Sequence, residues 1–363
     1  MSTNYILAQN VSIYKTNPTE IRIRKGIWNY EEAVLDISML SKELQDVMAE
    51  VLDKLDRGES IQPDVYIRER ISDPESQTLF SDAINSLKAQ KYLASTDESK
   101  TAALMTELLG GVFANRFGYV PENLQPVLYI TDLESTAKYV KFLAEDIGLP
   151  ATVVSAGELQ QFAESDLTTR YEGLSTTSQY NELSKILSPY KCVAMALSNP
   201  SMTFLRNLNR VAVADSIMLS MALIDGPFLT AMTFKPTETG CFECFENRVM
   251  ARLQDISAYR EFSKKFTIKD SASRQISHIS PLLNTFASIP MFEAFMYSCI
   301  GKTTLAGRIL NVYLPALEIQ VQDLLRISSC PACGFISLAR MEEMYTSTTK
   351  IVEKLASKIL ITE

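Results

Sequence analysis

The apolar positions of the first ninety or so residues follow short, regular periods. Val11–Tyr14 and Ile21–Arg24 alternate apolar and polar residues, which predicts two strands flanking the turn Asn17-Pro18, and Ala33–Ile37 predicts a third. Ser41 then stands where it would cap a helix whose Leu44, Val47, Met48, Val51, Leu52 and Leu55 fall at i, i+3, i+4 spacing, and Gly58 closes it. A short helix is expected from Pro63 to Ile71. Asp73-Pro74 opens another with Leu79, Phe80, Ala83, Ile84 and Leu87 along it, the acid as cap and the proline in the first helical position. Three strands with a helix-turn-helix predict a winged-helix arrangement over 1–95.

Residues 96–126 carry Gly110-Gly111 and Pro121 and are expected to be a connector, with a helix at Lys100–Leu109. Beyond them the period changes. Val127–Thr131 is a buried-strand run, Leu133–Ile147 a helix ended by Gly148, and Ala151–Ser155 another strand. Ser165–Ser178 is polar and is expected to be a loop. Cys192–Leu197 is a strand, Ser198-Asn199-Pro200 a loop, and Thr203–Val213 an apolar helix. Ile217–Ile224 and Leu229–Phe234 are further strands. Alternating β and α elements imply an α/β domain over 127–363 with a mostly parallel, doubly wound sheet. The stretch Val211–Ile224 is interrupted by Asp215 and is too short to span a bilayer. The N-terminus lacks a basic segment before an apolar core, so a cytoplasmic protein without a secretory signal is expected.

Charge narrows the reading of the first domain. Acidic residues outnumber basic ones, 43 to 35, for a net charge of −8. Between Ser60 and Leu93 only Arg68, Arg70, Lys88 and Lys91 are basic, against Asp64, Glu69, Asp73, Glu75 and Asp82. A helix carrying Lys88 as its only cation cannot anchor on phosphates, so the winged helix is not expected to read nucleic acid.

The cysteines supply the sharpest chemical signal. Four of six form two pairs, Cys241-Phe242-Glu243-Cys244 and Cys330-Pro331-Ala332-Cys333, some 85 residues apart. Each C-x-x-C turn aims two thiolates at one point, and two such turns make the tetrahedral all-sulfur site that Zn²⁺ prefers. A structural zinc tying two distant segments is expected. Cys192 and Cys299 have no near partners and are expected to be buried small hydrophobes.

The order of elements from Val127 to Phe335, with the Asn-Pro loop after a strand, then Thr239-Gly240-Cys241 and the late Cys330-Pro331-Ala332-Cys333-Gly334, resembles the ThiF family, the ubiquitin-activating type of adenylating fold with its four-cysteine zinc. With the winged helix in front, the whole chain is similar to the ThiF-like leader-peptide-binding proteins of azole-forming peptide biosynthesis, the streptolysin and microcin type. That resemblance implies a complex with an ATP-dependent YcaO cyclodehydratase, often with an FMN-dependent dehydrogenase. It also implies a ribosomal precursor held by its leader. A homodimer is expected.

Two features depart from the adenylating pattern. The turn after the first strand of the second domain, Thr131-Asp132-Leu133-Glu134-Ser135-Thr136, has no glycine to cradle phosphates. Ser198 stands where the family's magnesium-binding aspartate precedes an asparagine. The expectation is therefore a degenerate domain that takes no nucleotide and is not itself an enzyme. The alternative is an active adenylating enzyme acting on a peptide or sulfur-carrier C-terminus. Gly301-Lys302-Thr303-Thr304 looks like the end of a phosphate-binding loop, but Met296 occupies the position where that motif needs glycine. His278, the sole histidine, lies in a serine-rich stretch and is expected to be a loop residue. Phe286–Tyr297 has helical spacing and is expected to be core or subunit interface. For the leader, the strand Ala33–Ile37 is the candidate edge, with Val34, Leu35, Asp36 and Ile37 pairing an added strand. Phe80, Ile84 and Leu87 are expected to line the adjacent groove.

Overall fold

A computed structural model of the chain describes residues 3–17, 19–28, 30–97, 101, 104–105, 124–168, 173–265 and 280–334. The chain divides into two compact units, Met1–Val120 and Pro121–Glu363.

In the first unit, β2 (Val11–Asn17), β3 (Glu20–Lys25) and β4 (Glu31–Asp36) form an antiparallel meander with β3 in the middle. Ile21 and Ile23 alternate inward and are 1% exposed. Against them packs α1 (Lys42–Asp56), capped by Ser41 Oγ accepting from Leu44 N–H, and all six apolar positions of its predicted stripe are buried. Next come α2 (Pro63–Glu69) and α3 (Pro74–Ala89), the latter capped by Asp73 through Ser76 N–H. β1 (Tyr5–Leu7) and β5 (Leu93–Ser95) pair antiparallel beside them. Both strands have only three residues, too few for a periodic signal, and the sequence reading missed them. Most of the expected connector lies outside the described residues.

The second unit is a mixed α/β domain built on a seven-stranded sheet. β6 (Val127–Thr131), β7 (Ala151–Ser155), β8 (Cys192–Leu197) and β9 (Met218–Asp225) run parallel. β10 (Phe228–Phe234), β11 (Arg308–Tyr313) and β12 (Glu318–Asp323) continue it antiparallel, in the order β12-β11-β10-β9-β8-β6-β7. The sheet is thus parallel in one half only. β8 and β6 are buried on both faces, which is why they are continuous apolar runs. β12 is exposed along its whole length and carries the mixed pattern Glu-Ile-Gln-Val-Gln-Asp, which gave no clear signal.

Helices cover both faces: α4 (Glu134–Ile147), α5 (Gly173–Leu187), α6 (Met202–Ala214), α7 (Phe242–Met250), α8 (Ile256–Lys265) and α9 (Ser280–Ile300). Gly148 ends α4 in the left-handed conformation at φ 70°. From Gly173 onward α5 corrects the expected loop over Ser165–Ser178, since its first turn is Gly-Leu-Ser-Thr and the packing residues Leu183 and Leu187 come late. α9 contains the Phe286–Tyr297 stretch and lies against β8, β9 and β10; Phe295 and Ala294 are fully buried. The Tyr129 hydroxyl of β6 donates to the Ala287 carbonyl of α9 at 2.8 Å. Burial holds that phenol well above its usual range.

Candidate functional site

The four paired cysteines converge. β10 ends at Phe234, and a turn follows in which Thr239 Oγ1 accepts from Lys235 N–H. Cys241 then occupies the extended N-cap position of α7, which puts Cys244 in the first helical turn. The second knuckle follows β12: Gly334 N–H donates to the Cys330 carbonyl and closes a tight turn. A Cβ on Gly334 would lie 2.5 Å from that carbonyl oxygen, so no other residue fits there. The Arg326 guanidinium joins the segments, donating to the carbonyls of Cys333 and Thr237.

The four Sγ atoms lie within 4.8 Å of one another, with Cys241–Cys330 at 3.6 Å, Cys244–Cys333 at 3.4 Å and Cys241–Cys244 at 4.0 Å. Sulfurs at ~2.3 Å from a central tetrahedral ion stand about 3.8 Å apart, and these separations bracket that value. All four residues are at most 3% exposed. The thiols crowd one another: hydrogen bonding with Cys244 pushes Cys241 up, while bonds from Cys241 hold Cys244 down. The group could hold one metal ion.

Around the sulfurs sits a shell that sequence reading did not find. Asn209 of α6, fully buried, accepts from Phe242 N–H through Oδ1 at 3.0 Å and donates to Cys241 Sγ through Nδ2 at 3.6 Å. Ile327 N–H points at Cys244 Sγ at 3.4 Å. Two nearly buried ion pairs, Arg206–Glu246 and Arg210–Glu243, fix α7 against α6. The repeat of Arg at i, i+4 facing Glu at i, i+3 was visible in the sequence, but the pairing between helices was not.

The second candidate is the crevice at the carboxyl ends of β6 and β8, where doubly wound sheets take their ligands. Here the Asp132 carboxylate accepts from Ser198 N–H, Ser198 Oγ and Asn199 N–H at 2.8–2.9 Å. Burial raises its pKa, against the lowering effect of those donors. A phosphate seeking these N–H groups would have to displace Asp132. At Gly301-Lys302-Thr303-Thr304, the buried Glu293 carboxylate accepts from the N–H groups of Thr304 and Leu305, so a protein anion fills that turn too. Cys192 and Cys299 are buried; burial raises both thiols, Cys299 to about 11, which makes them inert at neutral pH. His278 lies outside the described residues.

The third candidate is the β4 edge. Among the described residues no strand pairs with its outer side. The bond from Ile37 N–H to the Thr19 carbonyl sets the alternation, so Ala33 and Leu35 turn their backbone groups to β3 while Glu32, Val34 and Asp36 turn theirs outward. Val34 is 52% exposed, Leu35 half-buried and Asp36 exposed. The expected groove residues need correction. Phe80, Ile84 and Leu87 are 1–2% exposed and Ile37 is 4% exposed; all belong to the core of the first unit. They form the large apolar stripe of α3, and the sheet and α1 require it for burial. The large apolar side chain that α3 leaves half exposed is Leu79.

No protein-family model matches the sequence, and no curated protein does either. Among solved structures, the chain is similar in fold to a heterocyclase in complex with substrate and cofactor (TM-score 0.56, 15% identity, 92% of this chain and 40% of that one). It is similarly close to the heterocyclase TruD (TM-score 0.56, 15% identity, 92% and 43%). E. coli MccB with ATP covers 91% of this chain and 99% of its own at 13% identity, but its TM-score of 0.46 is too low to argue from. This chain spans about two fifths of the length of the heterocyclase chains. The fold resemblance read from the sequence is borne out. The expectation that the chain is not an enzyme is corrected: the structures that share its fold are described as heterocyclases, one of them in complex with substrate and cofactor. Among the described residues, no helix is long and apolar enough to cross a membrane.

Proposed function

We propose that this chain is the precursor-binding part of a heterocycle-forming enzyme. Residues 1–95 act as a winged-helix recognition domain that holds the leader of a ribosomally made peptide. Residues 127–363 form a ThiF-like domain stapled by Zn²⁺ on Cys241, Cys244, Cys330 and Cys333. The remainder of the machinery, an ATP-using YcaO cyclodehydratase, closes azoline rings on Cys, Ser or Thr of the bound peptide, and a flavin dehydrogenase oxidises them where azoles are the product. What the chain contributes is effective concentration: a held leader keeps many modifiable residues near one active site.

The observation that carries this reading is the open β4 edge, with outward backbone groups at Glu32, Val34 and Asp36, in a chain similar in fold to heterocyclases over 92% of its length. An extended leader added there gains backbone hydrogen bonds with little sequence choice, and the exposed Val34 supplies an apolar contact. The zinc reading rests on the all-thiol donor set and its tetrahedral spacing, which suit Zn²⁺ better than oxygen-seeking cations. When bound, the ion would neutralise buried thiolates and join α7 to the segment after β12.

The test is a titration of the purified chain with peptides encoded beside its gene. Leader-bearing peptides should bind and Val34→Pro should weaken them at least tenfold. Equal binding by both proteins would reject the β4 edge.

A further inference from the structure

The antiparallel half of the second unit's sheet carries a cleft lined neither by the four cysteines nor by the crevice residues Asp132 and Ser198. Between α7 and strands β10–β12 it measures about 580 Å³, within the range of ligand pockets. Phe228 and Tyr313 meet at one part of it with centroids 5.1 Å apart and ring planes tilted by 38°, and both keep more than a third of their surface exposed. On β12 the same cleft is lined by Glu318, Gln320 and Gln322, which share a face because they alternate. Their side chains form a ladder: Gln320 Nε2 donates to Glu318 Oε1 at 2.9 Å, and Gln322 Nε2 to Gln320 Oε1 at 3.2 Å. The ladder repeats every two residues, about 6.7 Å, which is the repeat of an extended peptide.

Charge decides what such a cleft takes. Arg248 and Arg252 face Asp225, Glu318 and Asp323 in its lining. Arg248 also donates to the Leu325 carbonyl, and Asp323 lies 3.4 Å from Arg308. The balance is close to neutral, so no field gathers phosphates or nucleic acid. Amide groups and hydroxyls complement peptide groups and small polar side chains instead.

We propose that this cleft binds an extended, uncharged, polar stretch of polypeptide, its peptide groups paired with the amides of Gln320 and Gln322 and one side chain resting on Phe228 and Tyr313. Resting on the precursor-binding reading above, the occupant is the Ser-, Thr- and Cys-rich part of the precursor that follows the leader. The β4 edge then holds the leader, and the cleft holds the part to be modified.

Anisotropy of a fluorescein-labelled decapeptide of Gly, Ser and Thr, titrated with the full chain, tests this. Saturable binding is expected, weakened at least fivefold by Gln320→Lys with Gln322→Lys, both exposed positions, and unchanged by Val34→Pro. Absence of saturable binding would overturn the proposal. So would equal binding by the double variant, or equal binding of a decapeptide in which the Ser positions are Glu. A leader peptide titrated in parallel separates the two readings: its binding should follow Val34 and ignore Gln320 and Gln322. Failure of the leader alone rejects the β4 site and leaves the cleft standing.

Discussion

Asn209 and Asp132 show how much rides on single buried polar side chains here. The cysteine pairs were legible because a C-x-x-C spacing is local. Asn209 was not, since an asparagine in an amphipathic helix carries no mark of the sulfur 32 positions away that it faces. It supports the Cys241 thiolate and the α7 N-terminus together, so Asn209→Ala should lower zinc affinity about 10–100-fold, read by competition with a colorimetric chelator. Unchanged affinity would make Asn209 a packing residue only. Asp132 is a carboxylate whose folded pKa is raised by burial. Such a group binds protons more readily when folded, so its contribution is full below the ordinary carboxylate value near about 4 and is lost as pH rises through the folded value. Thermal unfolding of the wild type and Asp132→Asn from pH 7 down to 4 should therefore shift in favour of the wild type. A constant difference would show that Asp132 titrates as it does in the unfolded chain.

At the scale of elements, periodicity predicted the long pieces and their ends, as in α1 with its Ser41 cap and α4 with Gly148. It failed where pairing rather than periodicity makes the element. β11 and β12 exist because β10 offers an edge, and β1 and β5 because they find each other across almost the whole first unit. Periodicity also located the α3 stripe without saying which way it faces. Because Phe80, Ile84 and Leu87 are core, Phe80→Ala should cost about 3–5 kcal/mol by denaturant unfolding, and Ile84→Asp should unfold the unit rather than spoil a groove. Leu79→Asp, at a half-exposed position, should keep the fold and leave the thermal midpoint nearly unchanged. A folded Ile84→Asp protein with normal thermal stability would contradict this placement.

For the whole molecule, the family resemblance and the α/β class were readable from the order of elements and the two knuckles. The antiparallel half of the sheet and the cleft on it were not, since both depend on which strands become neighbours. The metal group links residues on either side of β11 and β12. Chelating the ion or making Cys330→Ser should therefore lower the thermal midpoint of the second unit by at least ~5 °C, and a midpoint unmoved by metal removal would rule out a structural ion. The central claim, that the chain holds a precursor by its leader, is tested most directly by calorimetric titration of the purified zinc-loaded chain with the leader encoded beside its gene. One-to-one binding with a Kd in the micromolar range or tighter, lost in Val34→Pro, is the predicted result. No heat and no binding at a hundred micromolar peptide, by a folded chain carrying its metal, would contradict it.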